Sequence, residues 1–227
     1  MSMPYYVSPE QFIKDKADFA RKGISRGRSV VVLSYDAGIL LVAENPSSAL
    51  HKISEIYDRI AFAAVGKYNE FESLRVGGIR FADQRGFVYD RTDVTARSLA
   101  NVYAQTLGTV FTELPKPFEV EIAVAEVGRA QADDELFRIS FDGSVSDERG
   151  YVAMGGHADA IRKSLRAQWQ DGLALGAAAR LAREALTADR DDPANPASWE
   201  AAVLSRDQPR RCFRRLTANH VADLLSG

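Results

Sequence analysis

Residues Ser29–Gly66 read SVVVLSYDAGILLVAENPSSALHKISEIYDRIAFAAVG. Val30–Leu33 and Ile39–Val42 are short, wholly apolar, largely β-branched runs. Between them Tyr35-Asp36-Ala37-Gly38 is turn chemistry, with Gly38 free to take a positive φ. A third apolar run, Ile60–Val65, stops at Gly66. None of the three alternates apolar with polar residues, so each fits a strand covered on both faces. A hairpin and a third strand therefore demand layers on both sides of the sheet they build.

Ahead of this unit, Ser8-Pro9-Glu10-Gln11 reads as a helix start, with Ser8 as N-cap, Pro9 in the first turn and Gln11 completing a capping box. That helix, over 8–23, carries Phe12, Ile13, Ala17, Ala20 and Ile24 on an apolar side and Lys14, Asp15, Lys16, Asp18, Arg21 and Lys22 as its charges; Gly23 can end it. Residues 1–7 lack any such period. Behind the central strands, 69–82 has helical spacing weakened by Gly77-Gly78. A longer helix follows Asp90-Arg91-Thr92-Asp93, capped by Thr92 or Asp93, and Leu114-Pro115-Lys116-Pro117 breaks it. Phe118–Val127, Leu136–Phe141 and Tyr151–Met154 read as a second strand group with a turn at Asp142-Gly143. Two helices follow, one holding Ile161, Leu165 and Trp169 and one over Leu173–Leu186; 189–198 is an exposed loop by composition, and Trp199–Leu204, Cys212–Leu216 and Asn219–Leu225 close the chain. Two strand groups that both need cover predict an α+β fold of two face-to-face sheets flanked by helices, in one domain over 1–227. Tyr-Asp-Arg occurs at 57–59 and again at 89–91, and is read as coincidence.

Function classes fall away on composition. A net charge of −2 lacks the positive excess that nucleic acid or an acidic membrane needs. Arg210, Arg211, Arg214 and Arg215 flank one strand, a solvated or subunit-facing one. The single cysteine, Cys212, cannot form an internal disulfide and fits a reducing compartment. No apolar run approaches the roughly 18 residues of a membrane span and no signal peptide is read, so a cytoplasmic location is expected. Phosphate-loop, dinucleotide and HExxH motifs are absent, and His51, His157 and His220 stand far apart, so no cofactor and no metal site is expected. Cys212 reads as a small strand hydrophobe, with a reactive thiol as the competing reading.

The stretch 44–113, ENPSSALHKISEIYDRIAFAAVGKYNEFESLRVGGIRFADQRGFVYDRTDVTARSLANVYAQTLGTVFTE, resembles the α subunits of the 20S proteasome core, as do PKPFEVEIAVAEV and MGGHADAI further on. The likeness is to the actinobacterial type, in which SPEQ, the AENPS turn and the YDRxDVT helix start recur. It implies the four-layer αββα sandwich of the amino-terminal-nucleophile hydrolases, in line with the element order above.

The resemblance also gives absences a meaning. Catalytic members of that fold begin their first strand with a threonine whose free α-amine serves as base, helped by an acid after the second strand and a lysine beyond it. Here Ser29 opens the first strand behind a helix, Asn45 stands sixteen residues on where the acid would be, and Lys52 keeps the lysine's place fourteen residues before Gly66. No catalytic residue is assigned, and the implied role is a non-catalytic subunit of a threonine-type endopeptidase complex. Homo-heptameric outer rings would stack on rings of catalytic β subunits. Residues 1–7 would gate the pore, and the loop at 113–117 would form a narrower ring below. Lys52 would receive the C-terminal carboxylate of a ring-shaped ATPase activator, and unfolded or ubiquitin-like-tagged protein would be the cargo. The competing readings are a processed amidohydrolase using Ser29 or Cys212, and a monomeric binding domain.

Overall fold

The computed structural model describes residues 8–188 and 199–226, so the expected gate at 1–7 and the expected loop at 189–198 lie outside the described residues. The expected hairpin is β1 (Val30–Tyr35) against β2 (Gly38–Glu44), paired antiparallel from Val30↔Ala43 to Tyr35↔Gly38. Gly38 has φ 155°, and a Cβ there would stand 1.9 Å from the Leu204 carbonyl oxygen. The third run is β4 (Ile60–Gly66). Because a strand alternates its side chains between faces, Val30, Val32, Ile39 and Leu41 enter one core while Val31, Leu33, Leu40 and Val42 enter another. Both faces are covered, as the unbroken apolar runs require.

The remaining strands are β3 (Ile53–Tyr57), β5 (Val120–Glu126), β6 (Glu135–Ile139), β7 (Val145–Glu148), β8 (Tyr151–Met154), β9 (Trp199–Ser205) and β10 (Phe213–Arg215). They form two antiparallel five-stranded sheets, ordered β10-β9-β2-β1-β8 and β3-β4-β5-β6-β7. A central core lies between the sheets. Helices α2 (Tyr68–Val88) and α3 (Ala96–Glu113) cover the second sheet. Helices α4 (Ala158–Gln168), α5 (Leu175–Thr187) and α6 (Ala218–Ser226) cover the first. This is the four-layer α+β sandwich.

Several expectations need correction. Tyr151–Met154 does not join the second strand group: β8 pairs with β1, Val30↔Met154 to Leu33↔Tyr151. The Asp142-Gly143 turn closes β6 onto β7 instead, a polar, partly exposed edge strand whose sequence VSDE gave no strand signal. The edge strand β3, ISEIY, was likewise hidden in a mixed pattern. Helix α2 is continuous through Gly77-Gly78, because Gly78 lets the Tyr103 ring approach: a Cβ there would lie 1.7 Å from its hydroxyl. The caps expected at Thr92 or Asp93 are Asp90, for a single 3₁₀ turn at Arg91–Asp93, and Thr95, in a capping box with Ser98 that starts α3. Trp169 is the C-cap of α4, not part of it.

The N-terminal helix α1 spans Pro9–Ser25 rather than 8–23, with Ser8 capping Gln11 N–H at 3.2 Å. The Gln11 side chain donates to Asp15 instead of closing a box. Gly23 does not end the helix; it is where α1 meets β5's approach, for a Cβ would sit 2.1 Å from Glu119. The helix faces also differ from expectation. Ala20, Ile24 and Lys16 are buried, while Phe12, Ile13 and Phe19 are about half exposed. Lys16, one of the helix's charges, does not face solvent. Its ammonium instead donates to the carbonyls of Phe111 (2.9 Å) and Leu114 (2.7 Å), satisfying the open C-terminal end of α3.

Candidate functional site

The loop from Asn45 to Lys52 joins one sheet to the other, and its residues are tied down one by one. Asn45 Oδ1 accepts from Ser47 N–H (3.1 Å), and Ser47 Oγ accepts from the N–H groups of Ala49 (3.3 Å) and Leu50 (3.0 Å). Asn45 Nδ2 donates across the loop to the Leu50 carbonyl (2.6 Å) and to Glu200 Oε2 (2.8 Å) on β9. An aspartate has no hydrogen to give either acceptor. The residue at the acid's expected place therefore works as a loop clamp.

Lys52 follows, its carbonyl accepting from Ala64 N–H on β4 at 3.0 Å. Its ammonium donates to the Arg28 carbonyl at 2.6 Å. The next residue is Ser29, 6% exposed, whose Oγ is buried without a hydrogen-bond partner. The structure thus gathers Ser29, Asn45 and Lys52 at one end of the sandwich. Where a free α-amine would be needed, there is the Arg28–Ser29 peptide, and its Arg28 carbonyl engages the lysine. Burial lowers the Lys52 ammonium to about 8; the carboxylates of Glu44 and Glu200 pull the other way, and Arg28 adds to the fall. Arg28 itself pairs with Glu44 at 3.0 Å.

The other candidates separate from this site. Cys212 is 1% exposed, its thiol donates to the Gln208 carbonyl (3.3 Å), and burial pushes its pKa up. That is the small-hydrophobe reading, not a nucleophile. His51 contacts Glu200 and Arg215, whereas His157 precedes α4 and His220 lies in α6. Among the described residues, no group of three or more His, Cys, Asp or Glu side chains could hold a metal. Arg211 pairs with Glu55 and Arg215 with Glu200, so half of the arginine cluster serves ion pairs.

Two features escaped sequence reading. The Tyr-Asp-Arg copies meet: Arg91 grips Asp58 through Nε (2.9 Å) and Nη2 (2.5 Å) and lies over the Tyr57 ring. The repeated triplet was the available signal. This contact fixes the end of α2 beside the β3–β4 turn, where Phe87 (90% exposed), Val88 and Tyr89 stand in solvent. β3 runs from Lys52 to that turn, so this apolar tip and Lys52 sit at opposite ends of the second sheet. The other feature is Glu200, a charge near the start of an apolar strand, which a sequence cannot connect to a loop some 150 residues earlier.

The family model for proteasome subunits matches residues 24–204, which is most of the chain. The chain belongs to the proteasome subunit family. Its likeness within the family is to alpha subunits. The proteasome subunit alpha of Kineococcus radiotolerans is 60% identical over all of this chain and 99% of its own length. That of Thermomonospora curvata is 60% identical with the same coverage, and that of Thermobifida fusca 56% over 99% of this chain and 91% of its own. No described helix of this family member is long and apolar enough to cross a membrane.

Proposed function

We propose that the chain is a non-catalytic alpha subunit of a cytoplasmic proteasome core, forming heptameric outer rings that gate entry and dock a ring ATPase. The observation that carries this reading is the Lys52 site: a half-buried ammonium on a clamped loop, held to the Arg28–Ser29 peptide, with no carboxylate at Asn45. Such a group is poor equipment for peptide hydrolysis and good equipment for a C-terminal carboxylate, which a lysine meets as a compact point charge. Helix α1 supports the ring. It lies over the same end of the sandwich, and Phe12, Ile13 and Phe19 leave an apolar face for a neighbouring copy. The opposite tip at Phe87–Tyr89 is then the surface offered to the catalytic β ring.

In this reading residues 1–7 serve as the gate. The loop after α3 is held to α1 by Lys16, so the inner ring and the gate's anchor form one unit. Unfolded protein, tagged or not, is the cargo. Lys52→Ala tests the reading: activator-stimulated protein degradation should be abolished, while barrel assembly and basal peptide cleavage stay near normal. Unchanged binding of the activator to alanine-variant barrels by surface plasmon resonance would reduce Lys52 to a surface lysine. Intact mass separates the processed-hydrolase alternative, which would lack everything before its nucleophile.

A further inference from the structure

We propose that Glu200 is the positioning residue of the Lys52 dock: a carboxylate from one sheet that sets where the lysine of the other stands. The inference rests on the reading of Lys52 as a carboxylate receptor. Glu200 is the second residue of β9, where it pairs in register with Ala43 of β2, and its side chain is 7% exposed. Its two oxygens collect the whole base of the loop. Oε2 accepts from Asn45 Nδ2 (2.8 Å) and from the backbone N–H of Lys52 itself (2.9 Å). Oε1 accepts from Ile53 N–H (3.2 Å), pairs with Arg215 Nη1, and lies 3.3 Å from His51 Nδ1. Arg215 closes the ring by donating to the Ile53 carbonyl at 2.6 Å.

The geometry has a direct consequence. Lys52 leads into the edge strand β3, which starts at Ile53 and has a sheet neighbour on one side only, β4. The other side of that strand start is held by a side chain from the facing sheet. Buried carboxylates with several charge-assisted and backbone donors are rigid anchors, because each lost bond leaves a buried polar group unsatisfied. Glu200 therefore fixes the Lys52 Cα, and with it the approach of the ammonium to the Arg28 carbonyl. A long side chain on an unclamped loop would instead swing into water. No atom of Glu200 needs to touch the docked carboxylate.

The test uses the full chain assembled with its β partner, as wild type, Glu200→Gln and Lys52→Ala. Glutamine keeps the length of Glu200 but turns an NH₂ toward N–H donors. The first readout is the pH profile of Lys52 acylation by acetic anhydride, followed by peptide mass spectrometry. In wild type its midpoint should lie near the lowered value of about 8. If Glu200 positions the lysine, Glu200→Gln frees it into water and the midpoint climbs toward the ordinary 10.5. If Glu200 acts only as a nearby charge, its loss removes a carboxylate that favours the ammonium, so the midpoint falls or stays; either result overturns the proposal. The second readout is binding of a synthetic activator-tail peptide with a free C-terminus, against its C-terminal amide. Glu200→Gln should weaken the free acid at least about tenfold and leave the weak amide unchanged. A moved profile with no Lys52-dependent peptide binding in wild type would sink the docking reading while keeping the positioning role. Peptide binding that survives Glu200→Gln intact would do the reverse. Should Glu200→Gln fail to assemble, Asn45→Ala removes one of the same carboxylate's donors from the loop; it must move the midpoint upward too, and an unmoved midpoint overturns the proposal.

Discussion

Lys52 shows how one residue's chemistry follows from its surroundings. In an unfolded chain its ammonium titrates near 10.5, and burial brings it to about 8 in the folded one. Below about pH 8 both states are charged, and the fold bears the cost of burying that charge. Between about 8 and 10.5 the unfolded chain binds the extra proton, so this residue's contribution to stability improves as pH rises. If Lys52 receives a carboxylate as proposed above, docking runs the other way, since it needs the ammonium. Activator binding to assembled barrels should weaken by about tenfold per pH unit above about pH 8, and Lys52→Arg, charged throughout, should flatten that dependence while restoring affinity in part. Binding measured across pH 7 to about 9 on both proteins checks it. Asn45 makes a sharper case. Asn45→Asp would restore a carboxylate but aim it at Glu200 and at the Leu50 carbonyl, 2.8 and 2.6 Å from the present amide nitrogen. We expect a loss of about 1–3 kcal/mol in urea unfolding and no gain of peptidase activity on fluorogenic substrates.

At the scale of elements, α1 is joined to α3 by a single buried cation. Lys16 gives two charge-assisted bonds to carbonyls at the end of α3, in the region where a helix accumulates partial negative charge. Lys16→Met keeps much of the stem and removes the donors. It should cost about 1.5–3 kcal/mol in chemical denaturation, with faster amide exchange concentrated at α1 and at 111–117. Even loss of protection over the whole chain would show that the lysine holds no local joint. The same contact explains why the helix pattern misled: Lys16 occupies a buried position between Phe12 and Ala20, and its charge belongs to a partner nearly a hundred residues away.

The whole molecule is a sandwich with two different ends. One carries α1, Ser29 and Lys52; the other carries the Arg91–Asp58 clamp and the apolar tip Phe87–Tyr89. If the tip meets the β ring, Phe87→Asp should abolish full barrels in negative-stain images while alpha chains still associate with one another, and its monomer stability should barely change because the ring is 90% exposed. If residues 1–7 are the gate, deleting them should raise turnover of small peptides by complete barrels without altering assembly. Unchanged turnover by verified complete barrels would remove that role.

The sandwich was legible because β1, β2 and β4 are apolar on consecutive positions, and a strand that is apolar on both faces must be covered on both. Ser29, Asn45 and Lys52 were singled out by the family resemblance rather than by local pattern; the structure adds that the Lys52 ammonium meets the Arg28 carbonyl and Asn45 meets Glu200. Edge strands β3 and β7 were not legible, because an edge tolerates polar residues and so loses its periodic signal. Nor was the sheet that β8 joins: four residues of this kind fit either sheet, and the pairing with β1 exists only in the closed fold. Local pattern records what each segment must bury. What Lys16, Glu200 and the paired Tyr-Asp-Arg triplets do depends on partners distant in the chain, and a contact of that kind exists only once the layers have closed.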